Sequence, residues 1–548
     1  MTFGGTGGGH LMRDRSDPDG VSRRDFLRVS AAVVGVGVAT VGLDACGSRT
    51  RSTTTPTSAA ASAAPAGPRR GGTLRVGLTG GSASDTLDPN NTVTAVDVAR
   101  AISLFEPLVN QSSADLPVLD LAEELTADDA TASSWTIRLR KGVTFHNGKE
   151  LTAADVVYTF TRILDPKHPL EGALSLNPVD LRGIKILDSH TLRVPMTRPY
   201  ATFPAQLYGG FDFIVPVGFD PRSPIGTGPF KFKSWTPGVQ SVFVRNENYW
   251  RRELPYVDEL VIIEFADSTS QVNALISGQV DAIGNVPLTA AAQLRSTPGV
   301  HVLDSKSAAY NPFTMRVDVP PFNDVRVRQA MRLLVDRRQM VDAAYDGHAL
   351  IGNDVFGLAD PDYDHSLVRP YDPAQARSLL KAAGRSDLTV DLVTSDISSG
   401  VVQSATVFAQ QAKQAGVTVN VSNLPTTAFF GTGYLERAFS QDVWYPSTYL
   451  VLVAQETLGS AAPFNETHFD DPTYNALYAE ANRTLDPAKV RDIVHEMMRI
   501  DFDRGGLIIP SFNDNIDAYA DKVRGGGPNF TGIPLNRYDF GQMWLARR

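Results

Sequence analysis

From Gly71 onward the chain keeps switching between two hydrophobic periods, and no all-helical or all-strand fold accommodates that. Leu74, Val76 and Leu78 alternate with Arg75 and Gly77, the two-residue period of a half-buried strand. Trp135, Ile137 and Leu139 mark one face of another strand, with Thr136, Arg138 and Arg140 on the other. Gly142 allows a turn, Val143 and Phe145 resume the alternation, and Asn147-Gly148 is a strong turn signal. Thr152-Ala153-Ala154-Asp155 then resembles a capping box, opening a helix whose apolar face holds Val156, Phe160, Ile163 and Leu164. Pro166 disfavours helical backbone at Asp165 and stops it. The same grammar returns later. Asp372-Pro373 reads as N-cap and first helical residue, Ala376, Leu379, Leu380 and Ala383 form the stripe, and Gly384 ends it. Ala405, Phe408, Ala412 and Ala415 line a helix closed by Gly416, and Val417, Val419 and Val421 alternate as a strand. Asp486-Pro487 starts a helix holding Val490, Val494, Met497 and Ile500. Such alternation predicts an α/β protein with mixed sheets. At 548 residues the chain exceeds one ordinary domain of about 100–200 residues.

The first seventy residues follow other rules. Ser22-Arg23-Arg24-Asp25-Phe26-Leu27-Arg28 precedes a weakly apolar run, Val29 to Leu43. That run is shorter than a membrane span of about 20 residues but suits a signal-peptide core. Leu43-Asp44-Ala45-Cys46 follows, and Cys46 is the single cysteine of the chain. Arg23 and Arg24 resemble a twin-arginine export signal. Leu43 to Cys46 resembles a lipobox, with Asp44 where a small or apolar residue is usual. Residues 1–45 are thus expected to be an export signal peptide, and 46–70 a lipidated N-terminus and flexible tether. The tether carries Ser, Thr, Ala, Pro and Arg with hardly any large apolar side chain, so burial cannot offset its ordering entropy. The expected location is extracytoplasmic, in a periplasm or on the outer face of the cell membrane, anchored by lipid.

Much chemistry is missing. Lys and Arg number 51 against 60 Asp and Glu, a net charge of −9, which argues against a nucleic-acid partner. One cysteine excludes an internal disulfide, a structural zinc cluster and, beyond the tether, a thiol nucleophile. Neither a P-loop nor a Gly-x-Ser-x-Gly elbow occurs. Gly226-Thr227-Gly228 leads into Pro229-Phe230 rather than a helix, so it is no dinucleotide fingerprint. His495-Glu496-Met497-Met498-Arg499 approaches the zinc-protease motif, but arginine replaces the second histidine, and His495 reads as a surface residue of an amphipathic helix. The 9 histidines show no ligand spacing. No catalytic residue, cofactor or metal is expected, and the chain reads as a non-enzyme.

A series of motifs runs through most of the chain: Gly71 to Val76, Leu87-Asp88-Pro89, Phe105-Glu106-Pro107-Leu108, Trp135 to Gly148 and Thr152 to Tyr158. Gly226 to Phe230, Asn246 to Trp250, Ser277 to Asp281, Pro321 to Ala330 and Tyr371 to Gly384 follow. In these, residues 71–525 resemble the family 5 extracytoplasmic solute-binding proteins of ABC transporters, which include dipeptide, oligopeptide and nickel binders. The resemblance implies a type II periplasmic-binding-protein fold: two lobes closing on a ligand through a hinge, mixed β-sheets flanked by helices, and an extra domain. Mapped here, domain I is 71–107 with 222–306 and 506–548, domain II is 108–221, and domain III is 307–505. Trp135 and Phe145 are expected in the core, and Arg326 and Arg328 paired with acids between helices. The glycines at 226–228 are expected where the chain crosses between lobes and backbones approach closely.

The resemblance also bears on the ligand. Peptide binders of the family place an acid after a Trp-containing strand of domain III, paired with the peptide α-amino group. Asp442-Val443-Trp444-Tyr445-Pro446-Ser447-Thr448-Tyr449 has Ser447 or Thr448 near that place instead. The arginine that dipeptide binders use for the carboxylate is missing from Ser395-Asp396-Ile397-Ser398-Ser399-Gly400. A buried zwitterion without either partner carries several kcal/mol of uncompensated desolvation, which disfavours a dipeptide. A longer or modified peptide, or a cationic or polyhydroxylated solute with Asp396 as counter-charge, stays open. The expected contacts are Trp444, Tyr445, Tyr449, Ser447 and Thr448, then Tyr310 and Asn311 near the domain I/III junction. The expected partners are a small peptide-like solute, an ABC permease with its ATPase, and the membrane through the lipid, with the protein itself a monomer. An exported α/β hydrolase and a chemosensing receptor on the same fold are the rival readings.

Overall fold

A computed structural model describes residues 11–13, 67–82, 85–92, 94–208 and 212–546. Arg23, Arg24 and Cys46 lie outside these residues.

Three sheets organise the chain. The largest has seven strands in the order 300–305, 515–520, 282–283, 73–79, 259–265, 240–245 and 230–236. Its centre is parallel: Thr73–Thr79 runs beside Glu259–Phe265 in a register that sets Leu74 against Leu260 and Val76 against Ile262. The side chains the alternation assigns inward, Leu74, Val76 and Leu78, are all buried. Helix Ala95–Leu104 covers one face of this sheet, and helices Ser268–Ile276 and Leu288–Arg295 cover the other.

The second sheet is antiparallel, in the order 11–13, 122–127, 134–139, 191–195 and 185–188. Trp135, Ile137 and Phe145 pack there against Val156, Phe160 and Ile163 of helix Ala153–Ile163. That helix opens on the expected capping box, with Thr152 and Asp155 satisfying each other's backbone N–H.

The third sheet is mixed, in the order 418–424, 389–395, 439–441, 313–315 and 507–508. Strand 389–395 is parallel to both of its neighbours, and strand 313–315 is antiparallel to both of its own. The predicted helices are present: Pro373–Ala382 and Pro487–Arg504 are capped by Asp372 and Asp486, and Val401–Ala412 runs on to a left-handed Gly416. Cores form on both sides of the sheet, one around Phe313, Phe408 and Phe439, the other around Tyr310, Tyr449 and Met497.

Two expectations about connections can be compared with these contacts. A Cβ at Gly226 would sit 2.0 Å from the Leu104 carbonyl oxygen, and one at Gly228 2.6 Å from the Leu104 carbonyl carbon. The Gly228 N–H donates to that oxygen at 3.0 Å, so the glycines do serve a close backbone approach. Arg326 pairs with an acid, but with Asp324, the N-cap of its own helix Val325–Leu333, and not between helices as expected. Among the described residues Arg328 pairs with no acid. It donates to the carbonyls of Phe322, Arg504 and Gly505 at 2.6, 2.6 and 3.1 Å, because the end of helix Pro487–Arg504 presents carbonyls with no intrahelical partner.

Candidate functional site

Past the end of strand Phe439–Gln441 the chain stays extended. Trp444 and Tyr310 form an antiparallel bridge, each N–H donating to the other's carbonyl, at 2.9 and 3.0 Å. This ties one edge of the 443–445 segment. Among the described residues no group bonds the backbone N–H or carbonyl of Tyr445. Tyr445 is 57% exposed, and partial desolvation raises its phenol. Tyr538 is near enough to feel it: its own phenol is pushed up by burial and secondarily by Tyr445.

Three distant stretches meet here. The Phe530 N–H donates to Ser113 O at 2.7 Å, and Arg537 donates to Gln111 O at 2.6 Å. The buried Tyr208 hydroxyl reaches Ser447 Oγ and the Thr448 backbone. Further out, Thr202 donates to Asn482 Oδ1 at 2.8 Å, and the Ala201 N–H to Asn482 O at 3.0 Å. Asp115 is fully buried in this junction with a left-handed φ of 60°. Gln111 donates to one of its oxygens, and the other has no partner. Burial pushes its carboxyl up to about 7; the Gln111 bond and the Arg537 charge oppose this, and Asp360 adds to it.

The expected contacts divide by location. Trp444 is half-buried, its Nε1 donating to Glu466 at 3.4 Å. Ser447 and Thr448 lie at the junction, and the Thr448 hydroxyl makes no cap bond to the helix it precedes. Asp396 is exposed and unpaired among the described residues. Asn311 is buried, its amide 3.3 Å from the Tyr345 hydroxyl. Tyr449 and Tyr310 are placed differently from the expectation: both rings are fully buried. The helix Tyr449–Glu456 begins at Tyr449, whose N–H donates to Asp360 Oδ2 at 2.8 Å. That turns the ring inward, stacked on Phe356 at 4.9 Å with its hydroxyl on Asp501. Tyr310 packs edge-on against Phe512 and donates to Glu456. Neither ring has surface left for a solute.

Tyr208 and Asp115 were not singled out from the sequence. The aromatic residue before a glycine pair, Tyr208-Gly209-Gly210, is the one local hint for the first. Asp115 carries no such hint.

The family model for bacterial extracellular solute-binding proteins, family 5 Middle, matches residues 117–457. The chain is 26% identical to di/tripeptide-binding protein 1 of Pseudomonas aeruginosa, over 76% of this chain and 84% of that one. It is 26% identical to the periplasmic oligopeptide-binding protein OppA of Escherichia coli, over 79% and 86% of the two. Heme-binding protein A of Haemophilus influenzae is 32% identical over 46% of this chain, and the match spans 51% of that protein's length. Among solved structures, AgaA from A. tumefaciens R10 in complex with agropinic acid superposes with a TM-score of 0.74 at 24% identity, covering 87% of this chain and 99% of that one. The oligopeptide-binding protein AppA of Bacillus subtilis with a nonapeptide gives 0.70 at 19%, covering 88% and 100%. These structures share the fold, mixed sheets flanked by helices.

Proposed function

Because the chain belongs to the bacterial extracellular solute-binding proteins of family 5, we propose that it captures a peptide or peptide-like solute between two lobes and delivers it to the permease of an ABC importer. Members of this family are binding proteins of transporters and not enzymes. The observation that carries the reading is Tyr445: an accessible residue next to the junction of distant segments, on a stretch whose backbone N–H and carbonyl are free among the described residues. An extended peptide adds to such an edge by main-chain hydrogen bonds, with side-chain recognition from flanking surfaces. The relatives whose names specify di/tripeptides and oligopeptides favour a peptide-like solute.

The domain division proposed is 71–107 with 222–306 and 506–548, then 108–221, then 307–505. Each group of segments contributes the body of one of the three sheets, save two edge strands: Leu11–Arg13, from outside all three groups, borders the second sheet, and Leu507–Ile508 completes the third. Solute touching residues from both lobes favours the closed arrangement by its differential affinity. Trp444, Tyr445, Ser447 and Thr448 are the contacts proposed from the third group, with Asp396 and Asn311 at its margin. Export through Arg23 and Arg24 and lipid attachment at Cys46 complete the proposal, with the tether leaving the lobes free to meet the permease.

Native mass spectrometry of protein purified without unfolding tests the capture reading. A retained small molecule, released on denaturation, is the expected result. An empty protein that also binds nothing from a peptide pool contradicts it.

A further inference from the structure

The second and third groups of segments, 108–221 and 307–505, share no chain connection, because each joins only the first group at both of its ends. Whatever holds these two together is therefore non-covalent and can open. Their hydrogen bonds gather at two places. One is Tyr208 with Ser447 and Thr448, beside Tyr445. The other is Asn482 with Ala201 and Thr202, and none of its bonds involves residues 442–449.

Asn482 suits this second place by its position. It is the C-cap of helix Pro472–Ala481, where carbonyls have no intrahelical partner. Its own carbonyl accepts the Ala201 N–H at 3.0 Å, and its Oδ1 accepts the Thr202 hydroxyl at 2.8 Å. Its side-chain nitrogen donates back to Tyr478 O at 3.2 Å, which leaves Oδ1 for Thr202. The receiving segment is anchored. The Tyr200 N–H donates to Ala132 O at 3.1 Å, and its hydroxyl to Ser175 O at 3.0 Å. Thr202 precedes helix Phe203–Gln206, and Phe203 is fully buried in the core of the second sheet.

Three residues past Asn482, Leu485 packs against that same core. Yet Leu485 belongs to the link between two helices of the third group, Pro472–Ala481 and Pro487–Arg504. One group thus lodges an apolar side chain against the other's core, next to uncharged hydrogen bonds. Water exclusion favours such a contact whether or not a solute is present.

We propose that residues 482–485 form a clasp, which closes on Ala201 and Thr202 and holds the lobes together before any solute arrives. The clasp rests on the two-lobe reading above but needs no solute to act. Solute is enclosed only in the closed form, so the closed fraction scales the apparent affinity for every solute by the same factor.

Pulsed electron paramagnetic resonance on the full chain, emptied of solute, reads this directly. Cys46→Ser removes the single cysteine. Ala154→Cys and Ala476→Cys, at exposed positions of one helix in each group, carry the spin labels. The emptied parent should show a short-distance population. Thr202→Val keeps the side-chain shape and deletes the hydroxyl donor, which makes no cap bond to its own helix, and should raise the ratio of long to short distances about threefold or more. Leu485→Ala should raise it by a similar factor, about threefold, and carries the test if Thr202→Val lowers the melting temperature. No short-distance population in the parent, or superimposable distributions in the parent and both variants, overturns the clasp. Protein that retains a solute in native mass spectrometry while both variants leave the distances unchanged keeps the capture reading and loses the clasp. Distances that shift in protein never found with a solute do the reverse.

Discussion

Tyr208 and Ser447 stand 239 positions apart in the chain, and their hydroxyl oxygens are 2.9 Å apart. The same phenol accepts the Thr448 N–H at 3.2 Å. One side chain from the first half thus fastens the turn that leads into helix Tyr449–Glu456, next to the segment with the free edge.

Tyr208→Phe keeps the buried ring and deletes both bonds. If they form only when the lobes meet, the loss falls on closure: affinity for the retained solute should drop about tenfold, for two bonds of about 0.5–1.5 kcal/mol each. Calorimetry with the parent and variant measures this. Unchanged affinity would reduce Tyr208 to a packing residue.

Tyr445 and Tyr449 should behave oppositely although four residues apart. Tyr449→Phe removes one of the two phenol donors of the buried Asp501 carboxyl, Tyr474 keeping the other, a cost of about 0.5–1.5 kcal/mol in urea unfolding, with little change in affinity. Tyr445→Ala removes an accessible ring, so stability should stay within about 0.5 kcal/mol while affinity falls.

Asp517 gives the fold a pH dependence of known sign. Burial pushes its carboxyl up to about 7, against the opposing bonds from the Leu535 N–H, Asn515 and Tyr519. An unfolded aspartate titrates near about 3.9. Between about pH 4 and 7 the folded protein therefore holds a proton the unfolded chain has lost, and stability falls as pH rises, by at most about 1.4 kcal/mol per pH unit. Below that window its contribution is fully present, and above it the loss is complete. Asp115, Asp501 and Glu106 act in the same direction; His146, pushed down to about 4 by burial, acts in the opposite one. Urea midpoints at about pH 5 and pH 7.5 should differ less in Asp517→Asn than in the parent.

Cys46→Ala should move the protein from the membrane fraction to the soluble fraction of expressing cells, read by fractionation and blotting. Equal membrane retention of the variant would contradict lipid attachment at that residue.

The sequence was most readable where a local rule acts alone. Leu74, Val76 and Leu78 follow the two-residue period, Asp372 and Asp486 are N-caps before proline, and Thr152 with Asp155 closes a capping box. Gly226 and Gly228 reveal themselves because only glycine allows the Leu104 carbonyl so near. Site residues resist such reading because burial is decided by partners far along the chain. Tyr449 and Tyr445 look alike as aromatics on one segment, but the Asp360 bond to the Tyr449 N–H fixes which ring turns inward. Tyr208 and Asp115 come from separate segments, and their meeting is a property of the folded chain. Arg328 was read as an acid's partner because its charge is visible in sequence, whereas the free carbonyls of a distant helix end are not.

Small-angle X-ray scattering of the purified chain, emptied and then saturated with the solute recovered from it, bears most directly on enclosure between lobes. The radius of gyration should fall on saturation and recover when the solute is removed. Superimposable curves at saturation, from protein shown to bind, would mean that the solute is held without closure.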